Sequence, residues 1–302
     1  MQILITGASG FLGSHIADAI SNAGHKAVLF DRKPSQWLRP DQTMVIGDVL
    51  DVEAVRRAMQ GCEAAYHLAA IADINDAIDS PRKAVEVNIL GTVNMLEAAR
   101  EQRLARFVFA SSIYVYSNQG SFYRTTKQAC ERLIEDYRER YGLAFTVLRF
   151  GSLYGPRADR SNGVYRLLAQ ALGERRIDYY GTGEEIREYI HVLDAAGMSV
   201  DILAPEFANQ FVHLTGQERM TSRDMLTMIS EMLGGDVSIG FKGSALPGHY
   251  LQTPYNYTPK LGRRLVRSTY IDLGLGLLDC LQHMDQAQAP LAPAQARNAG
   301  QP

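Results

Sequence analysis

The sequence predicts an α/β chain built on a doubly wound parallel sheet, with a smaller C-terminal part beyond about residue 150, and three observations predict it. A glycine-spaced turn, Gly7-Ala8-Ser9-Gly10-Phe11-Leu12-Gly13, follows directly on the apolar run Ile3-Leu4-Ile5. Short apolar strands then alternate with helical patterns as far as Phe150. Ser112 ends one of those strands, and Tyr123-Arg124-Thr125-Thr126-Lys127 opens the next helix.

The turn after the first strand runs into a helix predicted over Phe11 to Ala23, with Gly24 as its C-terminal cap. Gly7, Gly10 and Gly13 let the backbone come close to a pyrophosphate, while the free N–H groups and the dipole of the helix N-terminus, at Phe11 and Leu12, favour its negative charge. This placement is that of a Rossmann-type dinucleotide site. The second strand, Ala27-Val28-Leu29-Phe30, ends in Asp31, where an acidic side chain accepts from the ribose hydroxyls of NAD. Arg32 follows and could instead pair with the 2′-phosphate of NADP, so both dinucleotides stay open with NAD favoured. The third strand, Met44-Val45-Ile46, leads into Gly47-Asp48-Val49, where Asp48 can accept from the adenine amino group. The fourth, Ala64 to Leu68, runs into Ala69-Ala70, small residues against which a cofactor can lie; His67 is expected to pack at the strand end.

Val85 to Arg100 is predicted as a helix from its apolar Ile89, Val93 and Leu96, and Phe107-Val108-Phe109-Ala110 as a short buried strand. The helix Tyr123 to Tyr141 carries Cys130, Leu133, Ile134, Tyr137 and Tyr141 on one side and stops at Gly142. Phe145 to Phe150 closes the parallel series. Past it the pattern loosens, with turns at Gly155-Pro156 and Pro247-Gly248. The expected organisation is a dinucleotide domain over 1–150, a substrate-binding domain over 151–285 interleaved with it, and a disordered Ala-, Gln- and Pro-rich tail over 286–302.

Composition bounds the function. A chain of 302 residues, 46% hydrophobic and 21% charged, can bury a large core. Its net charge of −2 leaves no basic footprint for nucleic acid. Cys62, Cys130 and Cys280 are odd in number and widely spaced, as in a reduced cytoplasmic protein, and no metal site is expected. No apolar run approaches the roughly 18 residues that span a bilayer, and a strand starting at residue 2 leaves no room for a signal peptide, so a cytoplasmic protein with no membrane partner is expected.

The chemistry is argued from Ser112, Tyr123 and Lys127. A free phenol titrates at about 10, too high for a base at neutral pH, so its phenolate needs support. Lys127, four residues on and therefore on the same helix face, can supply that support with its ammonium. Ser112 can hold the substrate oxygen.

On these residues the chain resembles the extended short-chain dehydrogenase/reductases, specifically the nucleotide-sugar epimerase/dehydratase family typified by UDP-glucose 4-epimerase. The resemblance runs from Met1 to about Cys280. Besides the glycine turn and Tyr123-x-x-x-Lys127 it is carried by Gly47-Asp48-Val49, His67-Leu68-Ala69-Ala70, Asn88 in Val87-Asn88-Ile89-Leu90-Gly91-Thr92, and Ser111-Ser112-Ile113-Tyr114-Val115-Tyr116. Leu148-Arg149-Phe150-Gly151-Ser152-Leu153-Tyr154-Gly155-Pro156, Gly181-Thr182-Gly183 and Arg187 to Asp194 complete it.

The resemblance implies a tightly held NAD and a nucleoside-diphosphate sugar, with a UDP sugar expected. It puts Val49, Leu68, Asn88 and Phe150 with the residues above around NAD, and Ser112, Tyr114, Ser152, Arg187 and His249 around the substrate. Tyr123 would take the proton of a sugar hydroxyl, O4 by expectation, as hydride leaves the carbon. Arg187 would contact the diphosphate, unless it pairs with Glu184 or Glu188. The 4,6-dehydratases of the family carry an Asp-Glu pair directly after the catalytic Ser or Thr; here Ile113 and Tyr114 stand there, which disfavours dehydration. Three departures are visible. Only ten residues separate Ser112 from Tyr123, Ser152 replaces an Asn, and the second phosphate-binding arginine has no counterpart, with His249 or Lys242 as its candidates. A homodimer through the helices of Val85–Arg100 and Tyr123–Tyr141 is expected. The leading function is a UDP-sugar 4-epimerase in polysaccharide synthesis. A reductase or dehydrogenase of a keto sugar or small alcohol, and a non-catalytic NAD-binding protein, are the other two readings.

Overall fold

A computed structural model of the chain describes residues 1–216 and 219–243. His249, Cys280, the Pro247-Gly248 turn and the expected tail lie outside the described residues.

In chain order, the first half consists of β1 (Gln2–Thr6), α1 (Phe11–Asn22), β2 (Lys26–Asp31), β3 (Thr43–Ile46), α2 (Val52–Met59), β4 (Ala64–His67), α3 (Ile74–Asp79), α4 (Pro81–Val85), α5 (Gly91–Glu101), β5 (Arg106–Ser112), α6 (Ser121–Tyr141) and β6 (Phe145–Phe150). There follow β7 (Ser152–Tyr154), α7 (Gly163–Glu174), β8 (Arg176–Tyr179), β9 (Ile186–His191), α8 (Val192–Asp201), β10 (Gln210–Leu214), β11 (Arg219–Thr221), α9 (Ser222–Met232) and β12 (Ser238–Phe241).

Seven strands form one sheet in the order β10-β6-β5-β4-β1-β2-β3, with every neighbouring pair parallel. The order reverses between β1 and β4, and in an open sheet of this kind ligands bind beyond the carboxyl ends of the strands at that switch. Both faces are covered, which explains why the strands read as continuous apolar runs. Leu4, Phe107, Phe109 and Val147 point into one layer with Met95, Leu96, Cys130 and Ile134. Ile3, Ile5, Tyr66 and Val108 point into the other with Ile16 and Ile20 of α1 and Ala195 and Ala196 of α8. Each fully buried Ile or Phe of these layers stabilises the fold by about 1.5–3 kcal/mol.

Phe11–Asn22 matches the predicted first helix, and Gly24 follows in the left-handed conformation. The helix expected over Val85 to Arg100 is present within one unbroken helical run over residues 81–101, in which a π-helical turn over Glu86–Leu90 joins α4 to α5. Residues 151–243 build a three-stranded sheet, β11-β9-β7, and a two-stranded sheet, β12-β8, around Ala171, Ile177, Leu226 and Ile229. β10 departs from that part to pair with β6 in the main sheet. No helix among the described residues is long and apolar enough to cross a membrane. Among the described residues no His, Cys, Asp and Glu side chains cluster to hold a metal. Cys62 and Cys130 are buried free thiols.

Candidate active site

The glycine turn sits where β1 hands over to α1. Gly7 has φ +68°, and its N–H donates to the Phe30 carbonyl at 3.0 Å. A Cβ on Gly7 would come within 2.8 Å of the Ala69 nitrogen, and one on Gly13 within 2.2 Å of the Gly7 carbonyl oxygen. The turn is therefore folded against Leu68 and Ala69, just past β4, and against itself, leaving the start of α1 on the lining of a cavity. Asp31 is tied to the same turn, because its Oδ2 accepts from the Ser9 N–H at 3.0 Å. Ser9 was not among the residues expected from the sequence; its role is to orient the acid that ends β2.

Beyond the turn lies a cavity of about 760 Å³. Gly7, Gly10, Phe11, Leu12 and Gly13 line it at one end, with Asp31, Arg32, Asp48 and Val49 beside them. Leu68, Ala69, Ala70 and Phe150 form its floor, and Ser112, Tyr123 and Lys127 lie along its wall. Asn88 is 2% exposed and does not line it. Its Oδ1 accepts from the Ile71 N–H at 2.8 Å, while Nδ2 donates to the Ile71 carbonyl at 3.1 Å and to Thr126 Oγ1 at 3.0 Å. The π turn that carries Asn88 thus clamps the cavity segment at Ile71 to the helix of Tyr123.

Ser112 ends β5, and its Oγ accepts from the Tyr114 N–H at 3.3 Å. Burial pushes the Tyr123 phenol up to about 12, and the Ser112 hydroxyl acts in the opposite direction. Lys127 is 3% exposed, and its Nζ donates to the Ala110 carbonyl at 2.6 Å. That hydrogen bond holds the ammonium 4.7 Å from the Phe109 ring centroid and 5.8 Å from that of Tyr123. Desolvation lowers Lys127 to about 8, with Cys130 and Glu131 pulling it back up. The spacing of Tyr123 and Lys127 on α6 therefore places a cation under the phenol ring, as the four-residue interval predicts.

His67 ends β4 as expected for a packing residue. Thr6 Oγ1 and the His67 Nδ1 are 2.8 Å apart, and His67 Nε2 lies 3.1 Å from Thr92 Oγ1. Thr92 in turn donates to the Asn88 carbonyl, and Thr6 Oγ1 accepts from the Leu68 and Ala69 N–H groups. Burial, aided by the charge of Lys127, pushes the imidazole down to about 3, so it is neutral at pH 7.

A second cavity, of about 550 Å³, carries Tyr114, Ser152 and Arg187 on its lining, with Arg166, Gln170, Tyr179 and Tyr180. Glu184 and Glu188, the alternative partners of Arg187, pair with Arg223 at 3.2 Å and Arg219 at 3.7 Å. Lys242 pairs with Asp178 at 3.2 Å. The rings of Tyr114 and Tyr123 meet edge to face at 6.4 Å, so the short connection between Ser112 and Tyr123 is packed onto the phenol itself. Two groups behind the site were not foreseen. Glu131 and Arg149 form a buried ion pair, and the readable signal was the position of Glu131 one turn beyond Lys127 on the same face of α6.

A parallel sheet with a glycine turn at its switch point and a Ser, Tyr and Lys set along one cavity defines a dinucleotide-binding enzyme fold. Residues 3–210 match the NAD dependent epimerase/dehydratase family, and the chain belongs to that family. It is 27% identical over 269 residues to an uncharacterized UDP-glucose epimerase of Bacillus subtilis, covering 80% of this chain and 85% of that protein. It is 28% identical over 261 residues to a dTDP-glucose 4,6-dehydratase of Streptomyces antibioticus, covering 78% of each. The solved UDP-glucose 4-epimerase of Thermus thermophilus, a complex with NAD, superposes with a TM-score of 0.77 at 25% identity, over 87% of this chain and 95% of that one. The cofactor is NAD. The first cavity fits it: the glycine turn is closed to any side chain that would fill the pyrophosphate position, and the acid of β2 stands beside it.

Proposed function

We propose that the protein is an NAD-dependent 4-epimerase of a nucleoside-diphosphate sugar, with a UDP sugar as substrate. The observation that carries this reading is the arrangement of Ser112, Tyr123 and Lys127 along one cavity that begins at the glycine turn, adjoined by a second cavity with Arg187 on its wall. Gly7, Gly10 and Gly13 would hold the pyrophosphate of NAD and Asp31 its adenosine ribose; bound there, NAD supplies a reversible acceptor of hydride. Tyr123 takes the proton of the sugar 4-hydroxyl as that carbon is oxidised. Ser112 holds the same oxygen by a hydrogen bond. The Lys127 ammonium favours the phenolate that burial disfavours, and with its own titration at about 8 it is mostly charged at pH 7. Arg187 offers a bidentate fork to the sugar diphosphate. With NAD bound, reversal of that oxidation on the other face of the 4-keto sugar would leave no net redox change; the second cavity gives the ring room to turn, and Tyr123 returns the proton to the same oxygen.

Dehydration of the kind performed by the Streptomyces relative removes water across a neighbouring bond and needs a further acid and base. Directly after Ser112 this chain has Ile113, which is buried, and Tyr114, neither of them a carboxylate. The reading includes a homodimer joined through the π turn with α5 and through α6, where Leu90 of the turn and Tyr141 of α6 are exposed; light scattering that returns a monomer would remove that part.

The experiment is a proton NMR time course of the protein with catalytic NAD and a panel of UDP-, GDP-, CDP- and dTDP-sugars. A new anomeric signal without accumulation of NADH supports epimerisation and identifies the sugar. Net NADH formation or consumption in a parallel optical assay would replace this reading with a dehydrogenase or reductase.

A further inference from the structure

The two cavities share a neck. Phe11, Ala72, Asp73, Leu153 and Ser161 line both, and of these only Asp73 carries a formal charge. Its Oδ1 accepts from the N–H groups of Asn75 and Asp76, at 2.7 and 3.3 Å, which caps α3. Its Oδ2 has no hydrogen bond among the described residues, and the carboxylate is in none of their ion pairs. Other acids stand on either side: Asp76 and Asp79 line the first cavity and Asp159 the second. Of the cations that line these cavities, Arg32 and Lys83 line the first alone and Arg187 the second alone. Lys127 is bonded to the Ala110 carbonyl, and Arg166 to the carbonyls of Arg160 and Ser161.

We propose that Asp73 selects the substrate class, admitting a nucleoside-diphosphate hexose whose ring carries hydroxyls and rejecting the corresponding uronic acid. The inference rests on the epimerase reading, in which the sugar ring lies between Tyr123 in one cavity and the diphosphate in the other and so crosses this neck. An ionised carboxylate is an acceptor only. A sugar hydroxyl can donate to its unengaged oxygen. A uronate at the same place has no proton to give at neutral pH and meets a like charge in a site of reduced dielectric, which is discrimination by repulsion.

The test uses the full chain loaded with NAD, titrated calorimetrically with UDP-glucose and with UDP-glucuronate, alongside NMR turnover of both. Asp73→Asn removes the charge while its amide oxygen keeps the cap, and Asp73→Ser is a second variant with a capping hydroxyl. The wild type is expected to bind UDP-glucose at least about tenfold more tightly than UDP-glucuronate, and Asp73→Asn to reduce that ratio about tenfold, mainly by gaining the uronate, with bound NAD retained. A wild type that prefers the uronate overturns the proposal. So does a ratio unchanged in both variants, or loss of NAD as their main effect. Selective binding that disappears in the variants, without turnover of either sugar, supports the role of Asp73 and removes the epimerase reading. Failure of both sugars to bind overturns both readings.

Discussion

Arg149 grips Glu131 through both carboxylate oxygens, Nη2 to Oε2 at 2.7 Å and Nε to Oε1 at 3.0 Å, directly behind the candidate catalytic residues. Ser111, the neighbour of Ser112, donates its hydroxyl to the same Oε1 at 2.6 Å. One carboxylate therefore fastens together the strand that ends in Ser112, the helix that carries Tyr123 and Lys127, and β6. The side chains are 8% and 14% exposed, so removing one partner strands the other in the interior. Glu131→Ala should destabilise the fold by about 3–5 kcal/mol, and Glu131→Gln, which still accepts from Ser111 and Arg149, by clearly less. Urea unfolding of the two variants checks the order; equal small losses would mean that the pair bears little load.

Tyr123 and Lys127 make a separable prediction. Tyr123→Phe removes the hydroxyl proposed to transfer the proton and leaves the glycine turn untouched. Turnover should fall by about 10²- to 10⁴-fold while bound NAD, released by heat and quantified, stays at the wild-type level. Full activity in this variant would exclude Tyr123 as the base.

His67 predicts a pH dependence of stability. Its folded pKa is depressed to about 3 from 6.5, so between those values the unfolded chain binds the proton that the native chain refuses. The contribution of the neutral imidazole is thus present above about pH 6.5 and is lost as pH falls. From this group alone the free energy of unfolding should be about 2 kcal/mol smaller at pH 5 than at pH 7. His67→Gln should have a flatter acid limb in denaturant titrations across that range, even if its stability at pH 7 is lower. An identical slope in the variant would assign acid sensitivity to other groups.

Most of the candidate site was legible in the sequence because it is local. The glycine turn, Asp31 and the Tyr123–Lys127 interval are short-range patterns, and a buried parallel strand announces itself as an apolar run. The helix of Val85 to Arg100 shows what such patterns leave out: Ile89, Val93 and Leu96 recur at α-helical spacing and the segment is helical throughout, yet Glu86–Leu90 winds as a π turn. The turn inserts a residue into the helix without altering the spacing on which the expectation rested, and it places Asn88 against Ile71 and Thr126 rather than on the cavity wall. The Glu131–Arg149 pair, the Ser9–Asp31 bond and the pairing of β10 with β6 depend on how distant elements are brought into register. No periodicity in one segment encodes them.

The packing of the glycine turn predicts opposite signs for one substitution at two sites. A methyl group at Gly13 would lie 2.2 Å from the Gly7 carbonyl oxygen and 2.8 Å from the Ala8 Cα, both backbone atoms that can yield only if the turn itself moves. Gly173, near the end of α7, has nothing within 4 Å of the same methyl. Gly13→Ala should therefore cost about 1–3 kcal/mol and release NAD, because the strain falls on the backbone that would meet the pyrophosphate. Gly173→Ala should gain up to about 1 kcal/mol from the better helix propensity of alanine and leave NAD in place. Thermal unfolding with and without added NAD reads both effects. A Gly13→Ala protein that unfolds at the wild-type temperature and keeps its cofactor would show that the turn is looser than these contacts require.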